Sequence, residues 1–139
     1  MSRRIIRGLA EIALRVDDLD AMQAFYEEVV GLELMKRFDD RVHCAFFRIA
    51  EGVEGHTQVL ALFDRSNDPG FAGLSSEQTT VDHIAFGISK DDYGTEKERL
   101  EKLGLEVFTD EHEWVHWRSL YVRDPEGNLV EWVCYDPRI

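Results

Sequence analysis

Glu11-Ile-Ala-Leu-Arg-Val-Asp-Asp-Leu19 reappears 72 residues later as His83-Ile-Ala-Phe-Gly-Ile-Ser-Lys-Asp91. Each copy alternates like a strand, ends in residues suited to capping a helix, and leads into a helical stretch. Those helices close on near-identical text, Gly31-Leu-Glu-Leu34 and Gly104-Leu-Glu-Val107. Glycine there suits the left-handed position just past a helix C-terminus. The first helix is expected from about Leu19 to Val30, with Met22, Phe25, Tyr26 and Val29 as its stripe. The second, from about Asp92 to Leu103, is sparser, with Gly94 in its first turn and only Leu100 and Leu103 as apolar positions. Extended segments follow each helix: Gly31 to Arg37, Arg41 to Ile49 and Thr57 to Asp64, then Leu105 to Asp110, Trp117 to Arg123 and Asn128 to Tyr135. The expectation is an α+β fold of two tandem βαβββ modules forming a curved mixed sheet. Module one covers about 8–64, a linker about 65–80, and module two about 81–136.

Strand side chains alternate between faces. Ile84, Phe86 and Ile88 mark one apolar face, and Val130 and Trp132 another. His83 and Glu131 therefore point the opposite way, among small or apolar neighbours such as Ala85 and Gly87. An imidazole and a carboxylate aimed into one hollow are half of a metal site. Taken singly, His83 also reads as a structural histidine and Glu131 as a solvated carboxylate. The internal repeat adds Glu11, which occupies the position of His83 in the first module.

The chain has 139 residues, 44% of them hydrophobic, which is enough for a real core. No apolar run approaches the length of a membrane span, and Met1 to Arg7 lacks the pattern of a signal peptide. Cys44 and Cys134 lie in expected strands without metal-type spacing. They read as buried free thiols suited to a reducing cytoplasm. A formal net charge of −12 disfavours nucleic acid or anionic membrane as partners.

The two module openings, together with Tyr121-Val-Arg-Asp-Pro-Glu-Gly-Asn-Leu-Val-Glu131, resemble the vicinal oxygen chelate superfamily. That group holds glyoxalase I, methylmalonyl-CoA epimerase, fosfomycin-modifying transferases, bleomycin-resistance proteins and extradiol dioxygenases. The resemblance runs from Leu9 to Asp136. It implies a divalent metal (Fe, Mn, Ni or Zn) held by Glu11, His83 and Glu131, a small-molecule substrate and a homodimer. The family's fourth ligand position falls near Ala61, which cannot ligate, and Gln58 has the wrong strand parity. Glu11 stands where the family usually has His or Gln. A second carboxylate still binds these metals but favours the harder ones.

Tyr121 and His112 are implied as catalytic by the spacing seen in extradiol dioxygenases. The plain alternatives are an amphipathic strand residue for Tyr121 and an exposed histidine in a polar loop, Asp110 to Glu113, for His112. Trp117, Ser119 and Tyr121 should share the face of Glu131. Arg15 has the parity of Glu11, where it would meet an anionic substrate group or sit at the rim. Trp114 and Trp117 wall a pocket for a flat ligand or pack under their loop. Two functional classes follow. The first is a metal-dependent enzyme, lyase, isomerase or ring-cleaving dioxygenase, acting on a substrate that chelates through neighbouring oxygens. The second is a non-catalytic drug-binding protein of the bleomycin-resistance type.

Overall fold

A computed structural model describes residues 5–75 and 78–139; Met1 to Arg4, and Ser76 and Glu77 in the expected linker, lie outside the described residues. The chain divides into two compact units, Met1–Leu74 and Ser75–Ile139. Each unit carries one four-stranded sheet built to the same plan.

In the first unit the strands are β1 (Glu11–Val16), β2 (Glu33–Asp39), β3 (His43–Glu51) and β4 (Thr57–Asp64), in the order β1-β4-β3-β2. β1 runs parallel to β4, and the remaining pairs are antiparallel. The parallel pair is what a strand–helix crossover produces, since parallel neighbours cannot be joined by a hairpin. The crossover begins at Asp18, whose carboxylate accepts from the Ala21 N–H at 3.1 Å and caps α1 (Leu19–Ala24). The winding then widens to a π-helical stretch over Phe25–Val30, where a regular helix was expected. Gly31, at φ 85°, ends it in the left-handed conformation that costs glycine nothing. Leu19, Met22, Phe25 and Tyr26 are buried from this segment, against Leu14, Val16, Phe47, Leu60 and Leu62 of the sheet. A tilted contact between Tyr26 and Phe47, with centroids 6.3 Å apart, joins this segment to the sheet, and within the segment Phe25 meets Tyr26 edge-to-face at 5.2 Å. Each such fully buried side chain stabilises the unit by about 1.5–3 kcal/mol relative to exposure.

The second unit repeats the arrangement with β5 (His83–Gly87), β6 (Phe108–His112), β7 (Trp117–Arg123) and β8 (Leu129–Tyr135), ordered β5-β8-β7-β6. Its crossover helix, α2 (Tyr93–Lys102), buries only Tyr93 and Leu100, in keeping with its sparse stripe. The Tyr93 hydroxyl donates to the Ser119 carbonyl at 3.1 Å, tying the helix to β7. Ile84, Phe86, Val130 and Trp132 are all buried, as the alternation requires. Both cysteines are free and buried. No helix among the described residues is long and apolar enough to cross a membrane.

Candidate functional site

The turn after β7 sets the register of everything that follows. Asp124, 4% exposed, accepts through its carboxylate from the Glu126 N–H (2.9 Å), the Asn128 N–H (3.0 Å) and the Asn128 amide (2.8 Å). Gly127 supplies the positive φ of 87° that closes the turn. With that turn fixed, Tyr121 pairs directly with Glu131 across the β7–β8 ladder. The parallel β5–β8 ladder pairs His83 with Leu129 and Ala85 with Glu131. Alternation then puts His83, Glu131, Tyr121, Ser119 and Trp117 on one face, opposite to the face that buries Ile84, Val130 and Trp132.

His112 stands beside Tyr121, the partner that its spacing in the sequence implied. The extended segment expected over Leu105 to Asp110 is the edge strand β6, which runs on into the part expected as a polar loop; His112 is its last residue, paired with Trp117. That end reads as a loop because a strand at a sheet edge carries the polar residues that discourage further pairing. The half-buried His112 places Nε2 3.2 Å from the Tyr121 hydroxyl and 3.9 Å from Glu131 Oε1.

Glu131 lies across the ladder from Tyr121, and its carboxylate can only accept. A phenol that gives its proton to that carboxylate receives the His112 contact from Nε2–H; with the other imidazole tautomer the phenol donates to Nε2 instead. Burial, and then hydrogen bonding to Glu131, push the Tyr121 pKa up to about 12. The Ser119 hydroxyl, buried beside it without a well-formed hydrogen bond, pulls weakly the other way.

The Glu131 carboxylate is 4% exposed, and its only ion-pair neighbour among the described residues is His112. A buried carboxylate without a permanent cation fits a missing positive charge. On the neighbouring strand, His83 Nδ1 lies 2.7 Å from Asp82 Oδ1. Since the carboxylate accepts, Nδ1 carries the proton and Nε2 keeps a free lone pair. A histidine oriented by a carboxylate in this way has the form of a metal ligand with its supporting group. By type, an imidazole and a carboxylate on one sheet face are donors that suit a divalent ion.

Glu11 lies in the first unit, exposed, at the start of β1. Its register is that of His83: Glu11 pairs with Val59 as His83 pairs with Leu129. Two residues on, Ala13 pairs with Ala61 where Ala85 pairs with Glu131, so Ala61 holds the fourth position and Gln58 has the opposite parity. Among the described residues no three His, Cys, Asp or Glu side chains converge as a ligand set. The structure thus brings Glu131, Tyr121 and His112 together, puts His83 on their face, and leaves Glu11 in the other unit.

The duplicated βαβββ plan, with its parallel first and last strands, accompanies a sequence match to the glyoxalase/bleomycin resistance protein/dioxygenase superfamily over residues 8–132. The chain belongs to that superfamily. Within it, the protein is 31% identical to lactoylglutathione lyase from Agrobacterium tumefaciens, whose structure superposes with a TM-score of 0.64 over 94% of this chain and 96% of that one. The fosfomycin resistance protein FosX from Listeria monocytogenes, crystallised with Mn(II) and sulfate, is 25% identical, with a TM-score of 0.65 over 96% and 97% of the two chains. Glutathione transferase FosA from Serratia marcescens is 22% identical over 127 residues, 91% of this chain and 80% of that protein.

Proposed function

We propose that this superfamily member is a metal-dependent enzyme whose small-molecule substrate binds a divalent ion through two neighbouring oxygens. The observation that carries the reading is the buried Glu131 carboxylate, which shares its sheet face with a His83 oriented by Asp82 and, among the described residues, has no permanent cation beside it. Glu131 and His83 Nε2 are two ligands of the proposed site, and the resemblance at the module openings is what puts Glu11 forward as the third. A divalent ion bound there would polarise the substrate's oxygens as a Lewis acid. Two carboxylates and one imidazole favour Mn²⁺ or Fe²⁺ over softer ions, with Ni²⁺ and Zn²⁺ still accommodated. The Mn(II) of FosX supports this choice by analogy.

The chain's own groups then have separable tasks. Tyr121 stays protonated across the neutral range, so its phenol is a hydrogen-bond donor and not a base. With a cation to take up the charge of Glu131, the phenol proton would be available to a developing oxyanion on the substrate and would stabilise that charge. His112 Nε2, 3.2 Å from the phenol oxygen, fixes its direction, which makes it a positioning residue. Either proposed carboxylate ligand would accept a proton from carbon or oxygen next to the polarised group.

Elemental analysis of the purified chain, before and after chelation and repletion, tests the reading. About one ion per chain, lost in Glu131→Ala and in Glu11→Ala while the fold persists, is expected. Metal and turnover that both survive Glu131→Ala would sink it. The identity of the ion sorts the chemistry, iron favouring ring cleavage and the others isomerase or lyase reactions.

A second reading, a non-catalytic protein that sequesters a flat molecule, draws on Trp114 and Trp117, which are 84% and 42% exposed. It predicts tryptophan quenching by cationic aromatics that is indifferent to chelator.

A further inference from the structure

The open face of the first sheet carries a row of rings that neither the core nor the proposed metal site uses. Phe38 on β2, Phe46 on β3 and Phe63 on β4 stand side by side across three strands. Their centroids are 6.0 Å and 5.8 Å apart, and each contact is edge-to-face. Such pairs contribute about 0.5–1.5 kcal/mol beyond their burial, so the row is an ordered surface and not three independent side chains. It is also only partly covered: Phe38 is 45% exposed, and Phe46 and Phe63 are half-buried. Phe47, the neighbour of Phe46 in sequence, faces the other way and is fully buried in the core.

Cations flank the row at both ends. Lys36 Nζ lies 5.4 Å from the Phe38 centroid, and the Arg65 guanidinium 5.1 Å from that of Phe63. Arg15, exposed on β1, is the direct cross-strand partner of Phe63. Asp68 takes part of the charge of Arg65 at 3.5 Å. Lys36 and Arg15 are the cations most open to solvent. In a chain of net charge −12, an apolar wall edged by Lys36, Arg15 and Arg65 is a local reversal of sign. A pocket's own field, not the net charge, is what a small ligand meets.

We propose that this face recognises the non-chelating part of the substrate, and that this part is a flat apolar body carrying a negative charge. The inference rests on the metal-site reading only in that Glu11 stands on the same face of β1. Glu11 and Arg15 are four residues apart, roughly 13 Å along an extended strand. A substrate gripped at both points has its anionic group at about that distance from its chelating oxygens. Arginine suits the outer contact because its planar fork meets a carboxylate with two hydrogen bonds and also stacks on rings.

The test is calorimetric titration of the full chain, as purified and again after chelation, with 2-naphthoate and with 2-naphthylmethylammonium. These probes share the flat body and differ in the sign of charge. Saturable binding of the naphthoate in both preparations is expected, with no comparable heat from the ammonium compound. An Arg15→Gln/Lys36→Gln double variant, altered only at exposed positions, should weaken the naphthoate by at least ~10-fold, which corresponds to about 1.4 kcal/mol. Phe46→Ala should weaken it similarly, with circular dichroism reporting whether that variant still folds. The inference is overturned if the naphthoate does not bind at millimolar concentration, if the ammonium compound binds equally, if chelation abolishes binding, or if the double variant binds unchanged. Metal content, measured on the same samples, separates this outcome from failure of the metal-site reading.

Discussion

Replacing Glu131 by glutamine is predicted to stabilise the metal-free protein and to destabilise it relative to wild type once metal is present. The carboxylate is 4% exposed and has His112 at 3.9 Å and the Tyr121 phenol as its partners. Desolvating an ion without a permanent counter-charge costs several kcal/mol. The charge-assisted bond from the phenol returns about 1.5–3 kcal/mol of that. Glutamine keeps an oxygen for the phenol in a neutral bond contributing about 0.5–1.5 kcal/mol, and sheds the charge. The net expectation is that metal-free Glu131→Gln gains about 1–2 kcal/mol, the ion's desolvation cost exceeding the lost part of the hydrogen bond. At a metal concentration one hundred times its dissociation constant, wild type gains about 2.7 kcal/mol by linkage and the variant gains little, so the order inverts. Urea denaturation followed by tryptophan fluorescence is the assay, with and without chelator. All three tryptophans, Trp114, Trp117 and Trp132, lie in the second unit with Glu131, so the signal reports the unit that was changed. A lower midpoint for metal-free Glu131→Gln would show that the carboxylate is there for the fold, and an equal rise of both proteins with metal would remove it as a ligand.

Tyr121→Phe should leave the neutral-pH fold intact while turnover falls ~100-fold, the lower end of what removing an oxyanion donor costs. Because the folded pKa of Tyr121 is raised, to about 12, its contribution is complete below the ordinary tyrosine pKa and is lost as pH rises toward 12. The metal-free variant should accordingly show a shallower alkaline loss of stability, read by denaturant melts. Glu11→His should retain a bound ion but shift preference from Mn²⁺ toward Zn²⁺, measured by competitive metal loading; unchanged selectivity would remove Glu11 from the ligand set. Hydrogen bonds from Arg138 hold the Asp136 carboxyl well below the usual carboxylate range, so its stabilisation is present above that range and lost as pH falls through it. Asp136→Asn should lower stability at neutral pH and flatten the acid limb of a thermal-melt profile. Leu100→Ala removes a fully buried side chain from a helix that buries only one other, and should cost about 2–5 kcal/mol in urea denaturation.

The strand ladders were legible because strand parity is a strict rule. His83, Glu131 and Tyr121 share a face, and Ala61 stands where a fourth ligand would, both as alternation and the repeat required. Phe46 and Phe47 separated onto opposite faces for the same reason. The π-helical winding of Phe25–Val30 was not legible, since apolar positions at Met22, Phe25, Tyr26 and Val29 satisfy a regular helix equally well. The pairing of His112 with Tyr121 followed from spacing, but the end of its strand read as a loop because β6 has one apolar residue, Phe108, among Thr, Asp, Glu and His. Only its hydrogen bonds to β7 make it a strand. The ring row of Phe38, Phe46 and Phe63 spans three strands whose order in the sheet has no signature in local sequence. Its cation flanks are a tertiary fact for the same reason.

The buried turn at Asp124 also bears on how loss-of-function variants in this chain should be interpreted. Strand faces alternate with a period of two, so a slip of one residue along β8 would carry Glu131 to the helix side and swing Trp132 into its place. Three hydrogen bonds from one aspartate side chain stand against that slip. A change at Asp124 would therefore imitate the removal of a ligand from a position seven residues away, with no contact to substrate or ion. In a mutational scan it would score beside Glu131, and its effect would be one of reading frame within the sheet.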